Sequence, residues 1–364
     1  MREPGIPAVV IAGGGTGGHV FPALALAHTL VQDGMSVDAI HFIGAQRGLE
    51  ATAVPAAGFA ITLLPGRGIQ RRVTVANIVA LWQFAIACFR ALRLMRLMRP
   101  RVMVGVGGYA SAPCVVAAFL LRIPMVVHEQ NASPGVVNRV AVRLGARAAV
   151  AWPGTPLRKA IATGNPIRPE IQSTVRAPRH RQVVVMGGSL GAQRVNSAAL
   201  ALYDRWRTRD DLQIVHLCGA RNIQACTEAL AAARWSSDAL DYRLVAFESD
   251  MASLYANTTL VVGRAGAVTV AELAAVGMPA ILVPLPGAPG DHQGANARAF
   301  ARAGAAVVLL DEDCNGARLG AEIEMLLDDA ARLETMHRAA LSLAVPDAGE
   351  QLAEVVRGMM RRDR

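Results

Sequence analysis

Short, mostly apolar runs recur along the chain, and between them lie longer stretches whose apolar residues sit three or four apart. In the first half the runs are residues 8–12, 37–43, 60–64, 101–106, 125–128 and 147–152. In the second half they are 182–186, 212–217, 242–247, 259–263, 279–284 and 305–309. The runs are continuous rather than alternating, which predicts strands buried on both faces, as in parallel sheets covered by helices. Residues 20–31 and 75–98 read as two of the covering helices.

The two halves repeat each other. AVVIAGGGTGGHVFPALAL (8–26) parallels QVVVMGGSLGAQRVNSAAL (182–200), each a strand, a Gly-rich turn and a helix. RIPMVVHEQNASPGVVN (122–138) parallels GMPAILVPLPGAPGDHQGAN (277–296), each a strand that runs into a polar Pro/Gly loop before a helix. The pattern predicts an α/β protein of two Rossmann-like domains with parallel sheets facing across a cleft. The stretch ATGNPIRPE (162–170) reads as the hinge. Domains of 1–165 and 166–345 follow. A last helix near 346–364 has no sheet of its own left to cover, so it is expected to pack back on the first domain.

Composition sharpens this picture. The chain has 364 residues, more than twice a domain of ~150 residues. Hydrophobic residues are 53% and charged residues 18%, so the core is ample and the composition shows no sign of disorder. The net charge of +9 rests on Arg, since Lys159 is the only lysine, and it suits anionic partners. Aromatics are only 4% and no nucleic-acid module is recognisable, so nucleic acid is not an expected partner. The five cysteines form no Cys-x-x-Cys pair and read as reduced, buried thiols of a cytoplasmic chain. The N-terminus lacks a signal-peptide layout. The uncharged run 102–121 is broken by Gly107, Gly108 and Pro113, and 73–89 contains Asn77 and Gln83. Neither is expected to cross a membrane, which takes ~20 uninterrupted apolar residues.

The candidate chemistry sits where strands end. The loop at 13–19 brings free amides and a helix dipole to a glycine-lined turn, with the helix expected to start near Val20. Dinucleotide-binding enzymes use the same physics, but strand two ends in HFIGAQ, and no acidic residue for a ribose hydroxyl follows until Glu50. His19 is either a structural hydrogen-bonding group or a titratable catalyst. In the loop at 187–192, Ser189 offers a hydroxyl to phosphate or ribose. In VVGRAGAVTVAELAAVGMPAILVP (261–284), the amides of Ala267, Val268 and Thr269 open a helix fit for a pyrophosphate, and Arg264 offers a cation. Glu272, one turn on, either accepts ribose hydroxyls or merely complements the helix dipole. Asn131, Gln293 and Asn296 suit sugar hydroxyls, while His128 and Glu129 fit either a cleft or strand-end packing. Asp311-Glu312-Asp313 mimics an Asp-x-Asp metal motif but follows the last strand, away from these loops, and is not expected to bind a metal.

Together AGGGTGGHVFP, VGVGGYASAP, VVHEQNASPG, TGNPIR, GGSLGAQRVN, GRAGAVTVAELAAVGMPAILVP and DHQGANA resemble the MurG family of bacterial peptidoglycan glycosyltransferases, in order from residue 8 to about 310. The resemblance implies a GT-B architecture, with acceptor on the first domain and donor mainly on the second. It implies inverting transfer of N-acetylglucosamine (GlcNAc) from UDP-GlcNAc to the 4-hydroxyl of undecaprenyl-pyrophosphoryl-MurNAc-pentapeptide (lipid I), without cofactor or metal. Donor contacts would be Thr16, Gly17, Gly18, Asn131, Arg168, Ser189, Ala267, Val268, Thr269, Val270, Ala271, Glu272 and Gln293, with uracil near Phe247 and Glu248. Tyr109 and Asn138 would be acceptor-side. The chain departs from the family at Leu190 (usually Gln), Gln193 (usually Arg) and Ala265 (usually Ser).

Inversion needs a base for the acceptor hydroxyl. His19 is the expected base or acceptor-positioning group, and Glu129 the alternative. A lipid acceptor also implies a peripheral protein on the cytoplasmic face of the inner membrane, beside other cell-wall or division proteins. The helix at 75–98 carries an apolar first half and then Arg90, Arg93, Arg96 and Arg99, spread over about half its circumference. Arg67, Arg71 and Arg72 flank its other end. It reads as an interfacial anchor on anionic lipid or as a core helix with a solvated end. The rivals are another glycosyltransferase or a nucleotide-sugar epimerase of the same fold, opposed by HEQN and GGYASAP. A non-catalytic scaffold is opposed by the presence of Thr16, His19, Glu272 and Gln293.

Overall fold

The computed structural model describes residues 7–46, 48–65, 75–178, 180–188 and 192–361. Ser189, Leu190, Arg67, Arg71 and Arg72, named above, lie outside them. The chain divides into unit 1, Met1–Ile167 with Asp347–Arg364, and unit 2, Arg168–Pro346.

Unit 1 holds β1 (Val9–Ala12), β2 (Ile40–Ala45), β3 (Ala60–Leu64), β4 (Val102–Gly105), β5 (Met125–Glu129), β6 (Arg147–Val150) and β7 (Ile161–Ala162). They form one seven-stranded sheet in the order β3-β2-β1-β4-β5-β6-β7, every pairing parallel. Side chains alternate across it as the period of a strand requires. Val9 and Ile11 face Ala23, Leu26 and Leu30 of the helix Gly17–Gln32. Val10 and Ala12 face Ala87, Ala91 and Met95 of the helix Val75–Met98. The final helix, Ala348–Arg361, inserts Leu352, Ala353, Val356 and Met360 into the first of these cores. Arg357 pairs with Asp33, and Arg101 donates to the Met360 carbonyl, so the last helix is tied to unit 1 by apolar burial, charge and a hydrogen bond.

Unit 2 holds β8 (Arg181–Met186), β9 (Leu212–Leu217), β10 (Asp241–Val245), β11 (Leu260–Gly263), β12 (Ala280–Leu282) and β13 (Ala306–Val308). They form a six-stranded sheet in the order β10-β9-β8-β11-β12-β13, again all parallel. Val183 and Val185 pack under Val195, Ala199 and Leu202 of the helix Gln193–Trp206 and under Leu319 and Ile323 of the helix Gly316–Leu327.

Each sheet reverses its strand order at one place, between β1 and β4 in unit 1 and between β8 and β11 in unit 2. Ligands of open α/β sheets bind beyond the strand ends at such a reversal. Two sequence expectations shift. Val37–Ala39 is a 3-10 turn, so β2 starts at Ile40. The first helix starts at Gly17, because the Thr16 carbonyl accepts from the amides of both His19 and Val20. Gly17, Gly18 and His19 therefore form its first turn. The two-residue edge strand β7 lies inside unit 1, where its length is too short for a periodicity to announce it.

Candidate functional site

In unit 1 the loops after β1 and β4 interlock through bare backbone. A Cβ on Gly13 would lie 2.3 Å from Val106 Cγ2, and one on Gly108 would lie 2.6 Å from the Gly14 carbonyl oxygen. Only glycine permits this approach. It brings the His19 ring beside Gly107, where a Cβ would lie 3.1 Å from ring atoms Cδ2 and Nε2 and 3.7 Å from Asn138 Nδ2. Nδ1 of His19 faces Thr16 Oγ1 at 3.4 Å. Thus His19 and Thr16 of one motif and Asn138 of a distant segment converge at the sheet reversal. Tyr109, which opens the 3-10 turn Tyr109–Ser111 just past Gly108, is 39% exposed at the same strand end.

Glu129 ends β5 and is only 2% exposed. Its Oε1 accepts from the amide and the side chain of Asn131, at 3.0 and 3.1 Å. Its Oε2 accepts from the Gly135 amide and from Asn138 Nδ2, both at 2.8 Å. Three of these bonds hold the 130–135 loop in shape, and the fourth ties it to the helix Val136–Arg143. Both oxygens are engaged, so the geometry opposes Glu129 as the base and makes it the clamp that aims Asn131 and Asn138. The preceding His128 is fully buried, with Nε2 on the Gly164 carbonyl and Nδ1 accepting from Gln130 Nε2. Burial pushes its pKa down, so it stays neutral and structural.

The first Gly-rich turn is not an open phosphate cradle. The Glu50 carboxylate, 2% exposed, fills it. Its Oε2 accepts from the Gly15 amide and its Oε1 from the Ala45 amide, each at 2.8 Å. Sequence reasoning noted Glu50 only as too distant for a ribose contact. The overlooked signal was glycine at three separated positions, Gly14, Gly44 and Gly48, where a Cβ would lie within 2.4 Å of the Glu50 side chain.

In unit 2, Glu272 lies in the helix Ala267–Ala275 and is 6% exposed. Its Oε1 is 3.2 Å from Arg168 Nη2, and its Oε2 accepts from Tyr255 OH at 3.2 Å. Burial raises its pKa, against the opposing pull of the Arg168 guanidinium. The helix opens at Gly266 with no side-chain cap, so its start is backbone, through the predicted Ala267, Val268 and Thr269. Ala265 is fully buried and its carbonyl accepts from Asn296 Nδ2 at 3.1 Å, which ties the loop to the helix His292–Arg302. Gln293, in the first turn of that helix, accepts the Leu285 amide at 3.0 Å. Glu248 pairs with Arg243 beside Phe247, which is 72% exposed past the end of β10.

Two expectations need correction here. Arg264 does not offer a free cation. Its Nη1 donates to the carbonyls of Val283 and Pro284 and lies 2.7 Å from Asp311 Oδ1. Nor is Asp311 remote from the loops, because Arg194 also reaches it, at 3.1 Å. Asp311 is the counter-charge that fixes the two arginines flanking the sheet reversal. Among the described residues no group of three His, Cys, Asp or Glu side chains is arranged to hold a metal ion.

Comparison with known proteins follows this division. Residues 9–150 match the glycosyltransferase family 28 N-terminal domain and residues 182–352 its C-terminal domain. The chain is 42% identical, over 97% of its length and 94% of the relative's, to a protein of Anaeromyxobacter sp. (strain Fw109-5) named UDP-N-acetylglucosamine–N-acetylmuramyl-(pentapeptide) pyrophosphoryl-undecaprenol N-acetylglucosamine transferase. It is 42% identical to the protein of the same name from Alkalilimnicola ehrlichii, over 95% and 97% of the two chains. Among solved structures, that of Acinetobacter baumannii MurG superposes with a TM-score of 0.78 at 30% identity, covering 97% of this chain and 99% of that one. A Listeria monocytogenes UDP-N-acetylglucosamine 2-epimerase superposes at 0.66 with 14% identity, a likeness of fold alone. The two parallel-sheet α/β units are thus of the GT-B type.

Proposed function

The chain belongs to glycosyltransferase family 28, and on that premise we propose that it transfers GlcNAc from UDP-GlcNAc to the 4-hydroxyl of lipid I, with inversion. It is an N-acetylglucosaminyltransferase of peptidoglycan synthesis. One observation carries the reading: GGTGGH and the segment that opens with HEQN, far apart in a chain 42% identical to relatives so named, meet at one sheet reversal, where His19 and Thr16 lie beside Asn138.

The chemistry is a single displacement. The acceptor oxygen attacks the anomeric carbon, the bond from that carbon to the UDP oxygen breaks, and the hydroxyl proton leaves to a base. His19 takes that role, with Nδ1 held toward Thr16 and Nε2 as the proton acceptor. Unit 1 binds the acceptor, with Tyr109 and Asn138 among its contacts, and Thr16, Gly17, Gly18 and Asn131 attend the sugar under transfer. Unit 2 binds the donor nucleotide. Its uracil lies near Phe247 and Glu248, its ribose on Glu272, and Ser189 and Gln293 complete the contacts. Negative charge developing on the UDP meets the amides at the start of Ala267–Ala275, where fixed dipoles stabilise it without reorganising. Arg264 supports these amides from behind, its charge balanced by Asp311. Transfer from UDP-GlcNAc to a lipid I analogue, with UDP-GalNAc as control, tests the reading. No GlcNAc transfer to that acceptor would refute it.

The helix Val75–Met98 anchors the protein to anionic lipid at the cytoplasmic face of the inner membrane. Among the described residues no helix is long and apolar enough to cross a membrane. Ala80, Ala87, Ala91 and Met95 are buried along one side of this helix, whereas Trp82 is 69% and Phe89 68% exposed. At 100° per residue, Trp82, Phe89, Arg93 and Arg96 fall within about 60° of one another, opposite the buried side. Arg99 departs from the sequence expectation, since the helix ends at Met98. Basic residues near an anionic surface contribute about 1 kcal/mol each. Changing Arg90, Arg93 and Arg96 to Glu is therefore expected to lower binding to phosphatidylglycerol vesicles by at least about 100-fold. Equal flotation of variant and wild type would sink the anchor.

A further inference from the structure

Glu50 is absorbed by none of the roles above, yet its seat is the most elaborately built feature of unit 1. Its carboxylate accepts the Gly15 and Ala45 amides at 2.8 Å each. Cβ atoms on Gly14, Gly44 and Gly48 would lie 2.1, 2.4 and 2.0 Å from its side-chain atoms. Three segments, the turn after β1, the end of β2 and the start of the helix Glu50–Ala56, have thus given up side chains to make room for one buried carboxylate.

We infer that Glu50 is a positioning residue for the transfer. Its carboxylate occupies, as an internal anion, the amide cradle in which a Gly-rich turn of this kind would hold a phosphate, and so fixes the turn that carries Thr16 and His19.

Amides with no intrahelical partner need an acceptor, and an ionised one binds them more strongly than a neutral one. An external diphosphate would supply it only while bound, whereas Glu50 supplies it permanently. Gly15 directly precedes Thr16, so fixing the Gly15 amide fixes the entry into the first turn of Gly17–Gln32. That turn carries His19, whose ring stands beside Gly107. With the Gly15 and Ala45 amides already engaged, a substrate diphosphate is excluded from this cradle and must be met elsewhere on unit 1.

The inference rests on the glycosyltransferase reading, and its test separates the two. Glu50→Ala and Glu50→Gln, as full chains, are compared with wild type for kcat with UDP-GlcNAc and a lipid I analogue, for UDP affinity and for melting temperature. Misplacing a reacting group by about 1 Å costs up to about 100-fold, so kcat is expected to fall roughly 10- to 100-fold in both variants. UDP affinity, assigned to unit 2, is expected to stay close to that of wild type. Glu50→Ala removes a CH2–carboxylate group, and acetate has its size and charge. Acetate is therefore expected to raise kcat of Glu50→Ala severalfold where chloride at equal ionic strength does not. Glu50→Gln, whose amide fills the cradle but sets an NH2 against one of the two N–H donors, is expected not to respond. Wild-type kcat in Glu50→Gln overturns the inference whether or not Glu50→Ala folds well. So does an acetate-insensitive loss in a Glu50→Ala protein that melts like wild type. A wild-type protein that transfers nothing in the same assay refutes the glycosyltransferase reading instead.

Discussion

Replacing His19 by Ala is expected to lower kcat by about 10²–10⁴-fold, the usual contribution of a positioned general base. UDP affinity should change little, since the nucleotide is assigned to residues of unit 2. The expectation rests on the ring's position: in the first turn of Gly17–Gln32, with Nδ1 facing Thr16 Oγ1 and with Nε2 beside Gly107. A base must be neutral to act, so the wild-type kcat should rise with pH through the histidine titration, and the acid limb should vanish in His19→Ala. Near-normal turnover of that variant at saturating acceptor would exclude His19. Glu129→Gln separates the rival base from the clamp. A base carboxylate converted to an amide would abolish the same acid limb while leaving substrate affinities alone. A clamp loses its fit instead, because the amide NH2 must face one of the four N–H donors around it. The expected result for Glu129→Gln is weaker acceptor affinity with the pH limb retained.

The sheets were legible because buried parallel strands are continuous apolar runs, and all six predicted runs of each half overlap a strand. What escaped was set by local backbone hydrogen bonds and by pairs of distant residues. The run 37–43 looked uniform, but its first residues turn as 3-10 before the sheet begins. The helix start at Gly17 depends on the Thr16 carbonyl and on glycines with no propensity for helix. The site residues were legible as types at strand ends, and His19, Asn138, Glu129 and Glu272 do stand at sheet reversals or beside them. Their roles were less legible, because a carboxylate's role depends on what it already holds. Glu129 and Glu50 read as a candidate base and an irrelevance, yet each proves to accept from two backbone amides. Arg264 read as a phosphate cation because Asp311, 47 positions on in sequence, showed no sign of being its partner.

Glu272 makes the second large prediction, and it lies in binding rather than turnover. If its carboxylate accepts both ribose hydroxyls, each bond to the charged group contributes about 1.5–3 kcal/mol. Glu272→Ala should then weaken UDP binding by about 100-fold or more. The sharper readout is selectivity: wild type should prefer UDP over 2′-deoxy-UDP, and Glu272→Ala should bind the two alike. A preference that survives the substitution would return Glu272 to a structural role with Arg168 and Tyr255. Arg168 supplies an independent check through pH. Burial already raises the Glu272 pKa, and the Arg168 guanidinium opposes that rise. Without the guanidinium the folded-state pKa climbs further above the unfolded value of 4.5. A carboxyl raised on folding contributes stability below its unfolded pKa and loses it as pH rises through the folded value. Arg168→Ala should therefore melt progressively lower than wild type as pH rises from the unfolded value toward neutrality. The same variant should regain stability, but not UDP affinity, on acidification, because a protonated Glu272 fits the buried site yet no longer offers two acceptors to the ribose. A melting difference between Arg168→Ala and wild type that does not vary with pH would show that Arg168 does not govern the charge on Glu272.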